Sequence, residues 1–128
     1  MNIAVTGEGV ISAIGFNKQE MLLSLQKKQS GIKEIKYLQS THLELPVGEV
    51  NLSNEEMKDM LNIPTFQMMS RTALMGMIAI RQAFQDASID VDEIIAQKKK
   101  GKALKIVLIS GTTVGGMDIT EQYFNHIE

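Results

Sequence analysis

Residues 3–15 read Ile3-Ala4-Val5-Thr6-Gly7-Glu8-Gly9-Val10-Ile11-Ser12-Ala13-Ile14-Gly15. This stretch decides the fold class. Ile3-Ala4-Val5 is a short apolar run with no polar alternation, closed by Gly7 and Gly9. Such a run suits a strand buried on both faces, as in a parallel sheet, and the glycines mark a tight turn out of it. A second run of the same kind, Ile106-Val107-Leu108-Ile109, is followed by Gly111, Gly115 and Gly116. The sequence therefore predicts two parallel, adjacent strands, at 3–6 and 104–110, which only a crossover connection can join.

Between these runs the pattern is helical. Asn17 caps a predicted helix from about Lys18 to Lys28, with Met21, Leu22 and Leu25 as its apolar stripe. Leu45 to Val50 reads as a short strand, with Pro46 placing it at an edge or a strand start. Ser53 and Glu56 form a capping-box pattern for a helix ending near Leu61. Pro64 breaks the chain. A long helix is predicted from about Thr65 to Ala87, carried by Phe66, Met69, Ala73, Met77, Ile80, Phe84 and Ala87 at spacings of three and four. Met68, Met75 and Ile78 make it apolar on other faces too, which predicts a helix largely buried in the intact protein. Core packing is favoured over a Met-rich binding surface, because Ala73, Gly76, Ala79 and Ala83 allow close approach. A polar loop follows the long helix and leads to the second apolar run, and Met117 to Glu128 reads as the start of another helix. Strands alternating with helices give an α/β class, in one domain over residues 1–128 with no internal boundary.

Composition narrows the function. The chain has 128 residues, 44% hydrophobic and 22% charged, which fits a globular protein rather than a disordered one. A net charge of −2 gives no reason to expect nucleic acid or an anionic membrane as partner. No apolar run has the roughly 18 residues of a membrane helix, and no basic-then-apolar leader is visible. Cysteine is absent, so disulfides, thiolate metal sites and thiol catalysis are excluded within these residues. The expected location is cytoplasmic, and no cofactor or metal is expected.

The α/β pattern raises nucleotide binding. Gly7-Glu8-Gly9 is followed by Ser12 where the third small residue of a dinucleotide fingerprint belongs, and no acidic ribose partner follows a second strand. The segment Gly111 to Gly116 lacks the lysine of a phosphate-binding loop. A nucleotide-binding α/β module stays as a second alternative.

Six segments in register resemble the beta-ketoacyl-acyl-carrier-protein synthases. Val5-Thr6-Gly7 through Gly15 is similar to their opening strand and turn, and Ser30-Gly31-Ile32 to the motif after their first helix. Val47-Gly48-Glu49-Val50 resembles their second strand, and Met69-Ser70-Arg71 the opening of their long helix. Asp86-Ala87 resembles that helix's end, with Ser88 where glycine is usual. Ser110-Gly111 through Val114-Gly115-Gly116-Met117 is similar to their strand-loop. Three departures stand out. Glu8 replaces an apolar residue, Lys28 stands where glycine is frequent, and Thr65-Phe66-Gln67-Met68 lacks the basic residues many members place there.

The resemblance implies a thiolase-like fold, of which these residues make the N-terminal part of the first α/β half, a partial layered sandwich. It implies decarboxylative condensation of malonyl-carrier protein with an acyl thioester, in fatty acid or polyketide biosynthesis. That acyltransferase chemistry uses a cysteine nucleophile and a histidine pair, none of which lies in this segment, so the chain alone is expected to be inactive. By resemblance, Val114 helps line the acyl pocket, and Gly115 and Gly116 allow close backbone approach. Acyl-carrier protein is the implied partner, with a homodimer of the full-length protein or a partner synthase subunit. The first alternative is a non-catalytic synthase-like subunit or scaffold. A cysteine encoded soon after Glu128 would favour a truncated enzyme, and a stop codon the structural reading.

No substitute catalytic set is legible. His42 and His126 read as surface groups. Ser110 is not in a nucleophile-elbow sequence. Lys98-Lys99-Lys100 with Lys102 and Lys105 reads as a solvated loop before a strand rather than a docking patch.

Overall fold

The computed structural model describes residues 2–101 and 106–124. Five helices lie among them: α1 (Lys18–Gln26), α2 (Asn54–Leu61), α3 (Arg71–Asp86), α4 (Val91–Lys99) and α5 (Met117–Phe124). Their starts follow from local chemistry. Asn17 accepts from the Glu20 amide at 2.9 Å, and the Glu20 carboxylate returns to the Phe16 amide at 2.9 Å. Ser53 and Glu56 close the expected capping box at 3.1 and 2.6 Å. Each arrangement satisfies N–H groups that the first helical turn leaves without partners.

The helix ends carry a second lesson. Lys28 and Ser88 both adopt left-handed backbone, with φ of 53° and 55°. At Ser88 the Ile89 amide donates to the Phe84 carbonyl and the Ser88 amide to that of Gln85. At Lys28 the Gln29 amide reaches Ser24 and the Lys28 amide Leu25. These are Schellman motifs, whose left-handed position favours glycine. Two of the departures noted above thus fall on positions where a side chain is strained. Asn62, with φ of 56°, closes α2 with a residue that tolerates this conformation.

The core is small. Met57 of α2 and Leu74 and Ile78 of α3 are buried, and Ile11, Leu52, Leu61, Ile63, Met69 and Met75 pack around them. The α2–α3 pair is the main helix contact.

Four expectations are corrected. The α/β sandwich is not formed by the described residues, whose only β pairing is two isolated antiparallel bridges, Ser12 with Gly15 and Lys33 with Val47. Residues 3–6 and 106–110 are neither helical nor paired. Ile3, Val5, Val107 and Ile109 are 90%, 82%, 80% and 92% exposed. A strand exists only through its ladder, and apolar patterning alone cannot supply the neighbour. Residues 104 and 105 of the second predicted strand lie outside the described residues. The 45–50 strand is reduced to the Val47 bridge. The long helix starts at Arg71 rather than Thr65, because Pro64 initiates a turn (the Gln67 amide donates to its carbonyl at 3.0 Å) and Ser70 is the cap. Phe66 and Met68 therefore lie off the helix, 87% and 71% exposed, and within α3 only Leu74 and Ile78 are buried. Lastly, α4 occupies part of the predicted polar loop, capped by Asp90, which accepts from the Asp92 and Glu93 amides.

Candidate functional site

Two polar clusters and one groove organise the described residues around α3. The first cluster seats the glycine segment. Gly7 and Gly9 lie against the backbone of α3. A Cβ on Gly9 would overlap the Ala79 carbonyl oxygen and lie 2.8 Å from its carbon and 2.9 Å from the Ala83 nitrogen. A Cβ on Gly7 would lie 2.7 Å from the Ala87 nitrogen and overlap the Ala83 carbonyl oxygen. Two amides of this segment are already used. Glu8 donates to the Asp86 carboxylate at 3.0 Å, and Val10 to the Gln82 side-chain carbonyl at 3.0 Å. Gln82 in turn donates to the Phe16 carbonyl.

Lys18 bridges Asp86 at 2.9 Å and Glu8 at 3.6 Å. The hydrogen bond from Lys18, with that from the Glu8 amide, holds the Asp86 carboxyl below its ordinary value, and Asp86 raises Lys18. A phosphate loop needs free amides and no competing anion. Here the Asp86 carboxylate takes the Glu8 amide, and Gly7 and Gly9 pack against α3.

The second cluster surrounds Arg71. Its guanidinium donates to the Val50 carbonyl at 2.6 Å, the Leu52 carbonyl at 2.8 Å and the Asn54 side chain at 3.2 Å. It also lies 5.8 Å from the Tyr37 ring centroid. The Arg71 amide donates to Asp118 of α5 at 2.8 Å. Glu49 ties down the adjacent loop by accepting from the Lys36, Tyr37 and Leu38 amides at 2.6–3.1 Å. Sequence reading placed Glu49 and Arg71 within motifs without giving them a role. Asp118 carried no sequence signal.

The predicted pocket residues meet this cluster. Val114 and Gly116 line an open groove of about 300 Å³ with Leu38, Val50, Met75 and Met117, and with Arg71 and Asp118 at its polar side. Gly116 has φ of 90°, which favours glycine. Gly115 abuts α3: a Cβ there would lie 3.1 Å from a Thr72 methyl and 2.8 Å from the Thr112 hydroxyl. The groove could take a short apolar chain, and Val114 is 68% exposed on its wall.

The other candidates stay apart. The His42 ring meets the Glu44 carboxylate at 3.2 Å on the surface, and His126 lies outside the described residues. Ser110 is exposed on an irregular segment. Lys98 and Lys99 end α4, whereas Lys102 and Lys105 lie outside the described residues. Among the described residues no group of three acidic, histidine or cysteine side chains is placed to hold a metal, and no helix is long and apolar enough to cross a membrane.

Curated relatives agree with the family resemblance. The chain is 32% identical over 91 residues to 3-oxoacyl-[acyl-carrier-protein] synthase 1 of Haemophilus influenzae, covering 70% of this chain and 22% of that protein. It is 31% identical over 88 residues to the synthase 1 of Buchnera aphidicola subsp. Baizongia pistaciae, covering 68% and 21%. For Buchnera aphidicola subsp. Schizaphis graminum the figures are 29% over 110 residues, covering 85% and 26%. The chain belongs to the beta-ketoacyl-acyl-carrier-protein synthase family. It spans about a fifth to a quarter of the length of the curated synthases it matches. No family profile and no solved structure matches it. Among the synthase motifs quoted above, the Met69-Ser70-Arg71 and Gly48-Glu49 segments are those joined at the Arg71 cluster, and the Val114 loop is joined to them through Asp118.

Proposed function

We propose that these residues form the N-terminal portion of a 3-oxoacyl-[acyl-carrier-protein] synthase of thiolase-like α/β architecture. In that reading the intact protein condenses malonyl-carrier protein with an acyl thioester. The malonyl group loses carbon dioxide, the resulting carbanion attacks the acyl carbonyl, and the cysteine thiolate leaves. The similarity to four curated synthases carries the proposal. Val114, Gly115 and Gly116 line the acyl path, and the groove beside Met75 and Val50 supports that role. Residues 3–6 and 106–110, unpaired here, gain their sheet neighbours only in the intact synthase, a reading that their apolar runs support. Acyl-carrier protein is the substrate partner, and the intact protein is a homodimer in the cytoplasm.

The 128 residues alone are inactive, since they include no cysteine and a low-pKa thiolate is the required nucleophile. Mass spectrometry after incubation with acyl-carrier protein should find no stable acyl adduct. An adduct on Ser110 or any other residue would contradict this. The positive half of the proposal is tested by a chimera, with this chain replacing the matching residues of the Haemophilus influenzae synthase. Condensation of acyl- and malonyl-carrier protein should persist at a measurable fraction of the parent rate. A folded chimera that binds acyl-carrier protein yet never condenses would overturn it. The missing cysteine also keeps a second reading, a non-catalytic synthase-like subunit, which predicts a stable complex with an active synthase instead.

A further inference from the structure

We propose that Asp118 is a positioning residue, a clasp that seats the 112–117 loop on the start of α3 and so sets the groove beside Val114. The role of that groove as an acyl path rests on the function proposed above; the clasp itself does not. Three observations lead to it. Among the described residues, the Asp118–Arg71 contact is the one hydrogen bond that joins 106–124 to the rest of the chain. It lands on the first residue of α3, where an N–H has no helical partner and the helix dipole favours a carboxylate. Ser70 meanwhile satisfies the Ala73 amide, so the two caps take different donors. Finally, Asp118 stands on the walls of both the apolar groove of Val114 and the polar cleft of Tyr37, Ser53, Asn54 and Glu121.

The consequence is a division of labour at Arg71. Its side chain fixes residues 50–54 from one side, and its amide fixes α5 from the other. Gly115, pressed against Thr72, and Gly116, in its left-handed conformation, let the loop descend onto α3 between these points. If Asp118 lets go, no other hydrogen bond among the described residues holds the 112–117 loop on α3.

Amide exchange on the 128-residue chain reads this directly. Losing a helix cap of this type is a factor of roughly five to ten in local opening. Asp118→Ala should therefore speed exchange at Arg71 and at α5 amides such as Thr120 by about that factor, leaving Leu74 and Ile78 as in wild type. Asp118→Asn keeps an acceptor and should stay close to wild type. Uniform acceleration across α2 and α3, or none at α5, would overturn the clasp. Octanoyl-N-acetylcysteamine, followed through the Val114 methyl signals, separates the two claims. Saturable shifts in wild type that weaken in Asp118→Ala support both. Equal binding in the two proteins overturns the claim that Asp118 sets the groove. Absence of any shift in wild type, with the exchange pattern as expected, refutes the acyl reading and leaves the clasp standing.

Discussion

Replacing Gly9 with alanine tests whether the opening G-x-G is a seat on α3. The added methyl has nowhere to go. It would overlap the Ala79 carbonyl oxygen and stand 2.8–2.9 Å from two further backbone atoms, where ordinary contact is 3.4–4 Å. Backbone cannot rotate aside as a side-chain tip can, so residues 7–10 must retreat from the helix. Overpacking of this kind costs about 1–3 kcal/mol. Retreat also stretches the Glu8–Asp86 and Val10–Gln82 hydrogen bonds, both at 3.0 Å, each worth about 1 kcal/mol. The expected loss is then about 2–4 kcal/mol, which lowers the urea midpoint by ~1–2 M for a slope near 2 kcal/mol/M. Gly76 is the internal control. It sits in α3 with nothing within 4 Å of its would-be Cβ, so Gly76→Ala should gain up to ~1 kcal/mol of helix propensity and raise the midpoint by ~0.5 M. Far-UV circular dichroism in urea, at a concentration low enough to limit association, follows both. Gly9→Ala unfolding at the wild-type midpoint, while Gly76→Ala rises as expected, would refute the packing role.

Ser88→Gly and Lys28→Gly should each stabilise the chain by ~0.5–1 kcal/mol, since left-handed backbone strains a side chain more than glycine's extra unfolded-state freedom costs; a fall in melting temperature for either would count against the Schellman assignment. Asp86 titrates below its ordinary value, mainly through Lys18, so its contribution is complete above the unfolded carboxylate pKa and is lost as pH falls through the depressed folded value. Exchange at the Glu8 amide should therefore accelerate below about pH 4, and Asp86→Asn should remove that pH dependence. With Leu22, Leu23 and Leu25 exposed on α1 and the 106–109 run exposed beyond them, the isolated chain should self-associate. Sedimentation at several concentrations should show species heavier than a monomer, and a monodisperse monomer throughout would mean the chain closes its own core.

The helix starts were legible because their causes are local. Asn17, Ser53 and Glu56 act on amides within three residues, and the structure keeps each of them. The α3 start was misread because periodicity continued through Phe66 and Met69 while the Pro64 turn interrupted the backbone. The helix at 91–99 was missed because Val91, Ile94 and Ile95 make a thin stripe, although Asp90 and the terminal lysines gave its cap and its charge order. Val114, Gly115 and Gly116 are singled out by motif register alone, and nothing in that register brings them near Arg71. That junction is made by residues far apart in the chain, and pattern reading does not extend across such separations.

The strands show where local and non-local information part. Ile3-Ala4-Val5 and Ile106 to Ile109 have the composition of doubly buried strands, yet they are unpaired and exposed. A helix carries its hydrogen bonds within itself; a strand borrows them from a neighbour. The capped helices therefore form on these residues, and the β patterning stays unsatisfied. The glycine seat links the two regimes. Gly7 and Gly9 let the exit of the first run lie against α3, and the Glu8 and Val10 amides hold it there through Asp86 and Gln82, without any sheet. In the synthase reading, α3 is thus the surface against which the exit of the first run is seated. Gly9→Ala then bears on the sheet as well as on the helix seat, because a segment driven off α3 would present Ile3 and Val5 to their neighbour out of position.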